Sequence, residues 1–247
     1  MTNTQSVVEL LKDDNEYYKG IGKNYLSNSD IRALLSNPTL FKANVSDSKA
    51  LAEGRYFHQM LIEPEKAQNT LYVDVSTRNT KAYKEYIDEL GVEFALLLKE
   101  KEDIDMLVKK INGNIEFFDS IYKEGNLYEQ PAIGEIKGFQ WKGKADIITD
   151  EFIIDLKTTS DIAKFKYSAK TYNYDSQCYI YQMLFGKPLL FYVIDKQTAQ
   201  LGIFRPTDSF VRSGEIKLEE ALEVYHRYFG QHPTDDIDNY YIDEYLL

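Results

Sequence analysis

The stretch KADIITDEFIIDLKTT, residues 144–159, sets two aspartates and a lysine among β-branched residues that belong in a core. Two apolar runs on either side of a polar pair read as the strands of a hairpin. With the turn centred on Asp150–Glu151, Ile148 faces Ile153, Ile147 faces Ile154 and Asp146 faces Asp155. A loop of odd length would shift this pairing by one residue. Directly opposed residues share one face of the sheet, with Cβ atoms about 5 Å apart. Lys157 lies two residues beyond Asp155 and points the same way.

Two carboxylates at that spacing repel unless a cation lies between them. Mg²⁺ is bound in proteins through one or two carboxylates plus waters and phosphate oxygens. Lys157 would orient or help deprotonate an attacking water, a combination suited to phosphodiester hydrolysis. An acid, any residue and then lysine occurs four times, at Asp47, Glu135, Asp155 and Glu215, so the tripeptide alone decides nothing. Only Asp155 follows an apolar strand that has an aspartate placed to oppose it. The competing reading is a hairpin with ordinary solvent-facing charges.

Outward from this hairpin, the period of the sequence changes near residue 125. Residues 1–120 read mostly helical: 27–38 with Pro38 as a stop, 48–65 with Pro64 as a stop, 81–91 ending on Gly91, and 96–122 as one long amphipathic run. Residues 126–136, 138–149 and 151–159 then read as strands, 173–186 as a helix, 188–195 and 199–206 as two further strands, and 213–229 as a last helix. The expected fold is therefore α/β: a central mixed sheet of about five strands flanked by helices, with a helical N-terminal part. The organisation expected is 1–120 as the helical part of the same domain, 121–230 as the core, and 231–247 as an acidic, aromatic tail.

Bulk composition narrows the classes. Of 247 residues, 43% are hydrophobic and 28% charged, as in ordinary globular proteins. No apolar run is long enough to span a membrane, and the N-terminus lacks the features of an export signal, so a cytoplasmic protein is expected. The single cysteine, Cys178, excludes a disulfide framework, a four-cysteine cluster and a cysteine zinc site. A net charge of −11 argues against coating nucleic acid by overall charge, although residues 137–170 are locally rich in lysine. The 20 tyrosines admit base stacking, but composition bias from an AT-rich genome is the simpler source.

Four stretches taken together resemble the PD-(D/E)xK nuclease superfamily, in particular its phage and prophage exodeoxyribonuclease VIII (RecE)-like branch and, more remotely, lambda exonuclease. They are LAEGRYFHQMLIEPE (51–65), LYEQPAIGEI (127–136), WKGKADIITDEFIIDLKTT (141–159) and YDSQCYIYQ (174–182). The resemblance implies a restriction-endonuclease-like core and a Mg²⁺- or Mn²⁺-dependent deoxyribonuclease, with a 5′→3′ exonuclease of phage-type recombination ahead of an endonuclease. It implies Asp146, Asp155 and the Leu156 carbonyl as metal ligands, Lys157 as the residue positioning the water, and Glu129 at a second metal or its waters, with Glu135 as its rival. His58 would reach the metal from its helix, with Gly54 one turn earlier allowing close packing. Gln177 would bond a catalytic group or phosphate, and Tyr181 the DNA backbone. Arg32, Arg55 and Lys164 are weaker candidates for phosphate contacts. The implied partners are linear duplex ends, a single-strand annealing protein and further copies of the chain in a ring. An inactive interaction protein on the same fold, working through its acidic tail, is the alternative that the net charge favours.

Overall fold

In the computed structural model, which describes residues 2–243, the elements run as follows in chain order. Helices α1 (Thr2–Leu10), α2 (Asp14–Tyr18), α3 (Asn28–Ser36), α4 (Lys49–Ile62) and α5 (Pro64–Ala67) precede a short strand β1 (Tyr72–Val73). After α6 (Lys81–Leu90), a second short strand β2 (Leu96–Leu97) pairs in parallel with β1, and α7 (Leu98–Asn112) and α8 (Ile115–Ile121) follow. The central sheet is built from β3 (Leu127–Ile136), β4 (Phe139–Ile148), β5 (Ile153–Thr159), β6 (Leu189–Asp195) and β7 (Leu201–Phe204), in that spatial order. Helices α9 (Phe165–Thr171) and α10 (Tyr174–Phe185) make the crossover from β5 to the parallel β6, and α11 (Asp208–Phe229) follows β7.

The hairpin takes the register expected from its isoleucines: Ile147 pairs with Ile154 and Ile148 with Ile153. The Asp150–Glu151 turn is weak by itself, and Thr149 makes up the deficit. Its backbone N–H donates to the Phe152 carbonyl at 2.9 Å, and its Oγ1 accepts from the Glu151 and Phe152 N–H groups at 3.3 and 3.0 Å. Lys187 Nζ then donates to the Thr149 and Asp150 carbonyls, both at 2.6 Å.

One face of the sheet packs Ile147, Ile154, Leu156, Tyr192 and Ile194 against Tyr56, Phe57 and Leu61 of α4 and the apolar side of α7 and α8. The other carries Ala145, Ile153, Phe191 and Val193 against Phe165 and Ala169 of α9 and Cys178 of α10. The N-terminal helices thus complete the same core as the sheet.

Three details differ from the expected elements. The run 96–122 is two helices, because Gly113 ends α7 and Asn114 starts α8 by accepting from Phe117 N–H at 3.1 Å. Helix α9 occupies what reads in sequence as a connection; it is only seven residues long, too short to show a clear period. The tail folds back: Asp235 pairs with Arg227, and Tyr240 packs edge-on against Tyr228. Residues 244–247 of that tail lie outside the described residues.

Candidate metal and nuclease site

β4 and β5 pair at two positions only and then diverge toward Asp146 and Asp155. In the fork, a side chain replaces the ladder: the Leu156 backbone N–H donates to Asp146 Oδ2 at 2.8 Å. Ile147 belongs to the α4 side of the core, whereas Ala145 and Ile148 pack on the α10 side, so alternation breaks at Asp146. The two aspartates are therefore not a paired position of the ladder, although the charges of Asp155 and Lys157 both reach Asp146. Asp146 turns into the fork and Asp155 faces α10, and the Asp155 charge still raises the proton affinity of Asp146.

Across β3, Glu129 stands opposite Asp146, between the paired positions Tyr128–Ile147 and Gln130–Ala145. Its φ of 49° is left-handed, a conformation that costs a non-glycine residue about 1–3 kcal/mol. From α4, His58 brings Nε2 to 2.8 Å from the Leu156 carbonyl and Nδ1 to 3.5 Å from Asp146 Oδ2. With Nε2 donating to that carbonyl, the Nδ1 lone pair faces the acids. One ligand atom from each of His58, Glu129 and Asp146 lies within 4.8 Å of the others. Burial, reinforced by Asp146, pushes Glu129 up to about 8, and burial likewise raises Asp146 despite His58. Groups held so uncomfortably are a fit for a divalent cation, which removes the repulsion.

Beside this trio, Lys157 Nζ lies 2.5 Å from Asp155 Oδ2 and 5.1 Å from the centre of the Tyr174 ring. Gln177 Nε2 donates to Asp155 Oδ1 at 2.6 Å. Both Asp155 oxygens are thus engaged, Oδ1 by Gln177 and Oδ2 by the Lys157 ammonium, which compensates a carboxylate that is 2% exposed. Burial alone would lower Lys157, but the Asp155 carboxylate reverses this and holds it charged.

The remaining sequence candidates fall differently. The Leu156 carbonyl is engaged by His58, leaving its second lone pair for an ion. Tyr181 is not free to meet DNA, because its hydroxyl donates inward to the Lys144 carbonyl at 2.9 Å between packed apolar groups. Gly54 does not permit close packing: a Cβ there would meet nothing within 4 Å. Arg55 is paired with Asp47 at 2.5 Å, and Lys164 with Asp161 at 2.8 Å, both on the surface. Arg32 is exposed on α3, near enough to Tyr174 for its charge to be felt there. Glu135 is outside the cluster, on the exposed side of β3.

Sequence reasoning missed the groups that surround Glu129. Lys144, buried on β4, has its Nζ 3.8 Å from Glu129 Oε2 and 2.5 Å from Asp14 Oδ1 of α2. Lys66 joins Asp14 to Glu63 at 2.8 and 2.6 Å. Glu63 and Lys144 lie within the quoted stretches 51–65 and 141–159, but Asp14 lies far from every quoted motif.

A five-stranded mixed sheet with acids and a lysine at a strand fork, flanked by helices, is the fold of the PD-(D/E)xK nuclease superfamily. The chain belongs to the family described as a PDDEXK-like domain of unknown function (DUF3799), whose match covers residues 26–232. A crystal structure of a candidate exonuclease from Eubacterium rectale is similar over 95% of both chains, with a TM-score of 0.63 at 19% identity. The crystal structure of SSO0001 aligns with 67% of this chain and 85% of its own, with a TM-score of 0.31 at 17% identity, too distant to add to the fold argument. No functionally curated protein matches the chain by sequence.

Proposed function

We propose that the protein is a divalent-metal-dependent deoxyribonuclease that degrades linear duplex DNA from its ends. The observation that carries this reading is the convergence of His58, Glu129 and Asp146 within 4.8 Å, close enough to the buried Asp155–Lys157 pair for both charges to be felt at Asp146. His58, Glu129, Asp146 and Asp155 would hold Mg²⁺ or Mn²⁺, with the Leu156 carbonyl completing the set. The ion would supply charge neutralisation at the scissile phosphate and a more acidic water. Lys157, kept charged by Asp155, orients that water and stabilises negative charge developing on phosphorus oxygens. Gln177 fixes the Asp155 carboxylate, and Tyr174 walls the lysine from solvent.

The exonuclease assignment is supported by the fold shared with the E. rectale candidate exonuclease and by the motif resemblance to the exodeoxyribonuclease VIII branch. That resemblance also motivates 5′→3′ polarity, a ring-shaped homo-oligomer, a single-strand annealing partner and a cytoplasmic role in phage-type recombination. Incubation with linear and covalently closed circular DNA tests the reading. The expected result is degradation of the linear form with Mg²⁺ or Mn²⁺, none with chelator, and intact circles. Asp155→Asn and Lys157→Ala should each lower the rate at least about 100-fold with the circular dichroism spectrum unchanged. Full metal-dependent activity in Lys157→Ala would overturn the assignment.

A further inference from the structure

A carboxylate shared by two lysines occupies the space next to the proposed metal ligands. Asp14, near the start of α2, gives Oδ1 to Lys144 at 2.5 Å and Oδ2 to Lys66 at 2.8 Å. Lys144 is 6% exposed at its side chain, while Asp14 and Lys66 are 47% and 42% exposed. Lys144 Nζ also lies 4.8 Å from the Tyr17 ring centre and 3.8 Å from Glu129 Oε2. Burying an ammonium is costly unless an anion meets it, and Asp14 is the anion closest to Lys144.

We propose that Lys66 and Lys144 form a phosphate-binding subsite beside the metal ligands, which the Asp14 carboxylate fills as an internal competitor until a DNA phosphate displaces it. The inference rests on the nuclease reading for its substrate, and on geometry for the site itself. An oxyanion with two oxygens directed at two separate cations is what a phosphate presents. Because Lys144 is buried, Asp14 leaves at little cost only when another anion takes its place. Lys66 stays anchored through Glu63 Oε1 at 2.6 Å during that exchange. Adjacency to Glu129 places the bound phosphate next to the groups that would hold the ion.

The test is binding without turnover, in chelator, so that it stands whether or not the protein cleaves DNA. Inorganic phosphate, 5′-phosphorylated duplex and 5′-hydroxyl duplex are titrated against the full chain. Asp14→Asn should tighten phosphate and phosphorylated-end binding about tenfold, and Lys66→Gln should weaken it by a similar factor. Lys144→Gln should abolish the preference, with Lys144→Arg restoring it if the glutamine variant folds poorly. A gain confined to 5′-phosphorylated duplex assigns the subsite to terminal phosphates, and an equal gain on both duplexes assigns it to internal ones. Unchanged affinity in both Asp14→Asn and Lys66→Gln, which alter exposed groups, would overturn the proposal even if nuclease activity were demonstrated.

Discussion

Glu129 is the residue whose environment is least comfortable and therefore most informative. It is left-handed, faces Asp146 across the strands, and is pushed up to about 8 by burial and that neighbour. An acid whose folded value is raised favours folding only while protonated. Its contribution is complete below the ordinary carboxylate range and is lost as pH rises through about 8. Asp146 is shifted in the same direction. A divalent cation reverses the sign, because ligands must be ionised to bind it. Metal-free protein should therefore melt progressively lower between about pH 5 and 8.5, and Mn²⁺ should raise the melting temperature more at the top of that range than at pH 6. Equal metal-induced shifts at both ends, followed by scanning calorimetry, would show that these carboxylates do not hold the ion. Asp155 and Lys157 were legible in the sequence as an apolar strand interrupted by charges. Asp14 and Lys66 were not, since only packing brings Asp14 to Lys144 and Lys66.

Two helices set the site. α4 carries His58 over the fork, and α10 carries Gln177 under it. The start of α10 is locked by a buried polar network: Lys217 Nζ donates to Asp175 Oδ1 at 2.9 Å and to the Lys170 carbonyl at 2.6 Å, and Ser213 Oγ donates to Asp175 Oδ2 at 3.0 Å. Gly214 of α11 lies against the Asp175 carbonyl so closely that any Cβ would clash with backbone. The two glycines Gly54 and Gly214 therefore predict opposite outcomes. Gly54→Ala, in a helix with open space above it, should stabilise by up to about 1 kcal/mol. Gly214→Ala should destabilise by several times that amount and lower nuclease activity through displaced Gln177. Denaturant midpoints of the two variants check both signs, and a destabilised Gly54→Ala would contradict the packing described for α4. The sequence marks both positions alike, as glycines inside helical patterns, so their different roles are not readable there.

The whole molecule is acidic, at −11, and its nearby cations are largely committed to internal acids: Arg55 to Asp47, Lys164 to Asp161, Lys144 and Lys66 to Asp14. Each of these would have to give up its acid to neutralise a DNA backbone. Binding to duplex DNA should fall with salt along a shallow slope, corresponding to about three or four phosphates. Fluorescence anisotropy across a salt series measures it, and a slope near that of eight or more phosphates would show that these cations exchange their internal acids for DNA. No helix among the described residues is long and apolar enough to cross a membrane.

Local chemistry decides what a strand-forming run, a capped helix and an unfavourable charge in an apolar segment must be, and these are properties of neighbouring residues. From them followed the mixed five-stranded sheet, the register of the hairpin isoleucines, and the expectation that Lys157 points the same way as Asp155. What tertiary structure alone decided is long-range: that Asp146 leaves the pleat to cap the Leu156 N–H, that Tyr181 is spent on the Lys144 carbonyl, and that α2 delivers Asp14 across more than a hundred residues to Lys144. Such contacts arise from how helices settle on a twisted, forked sheet, where each buried polar group must find a partner wherever in the chain it lies.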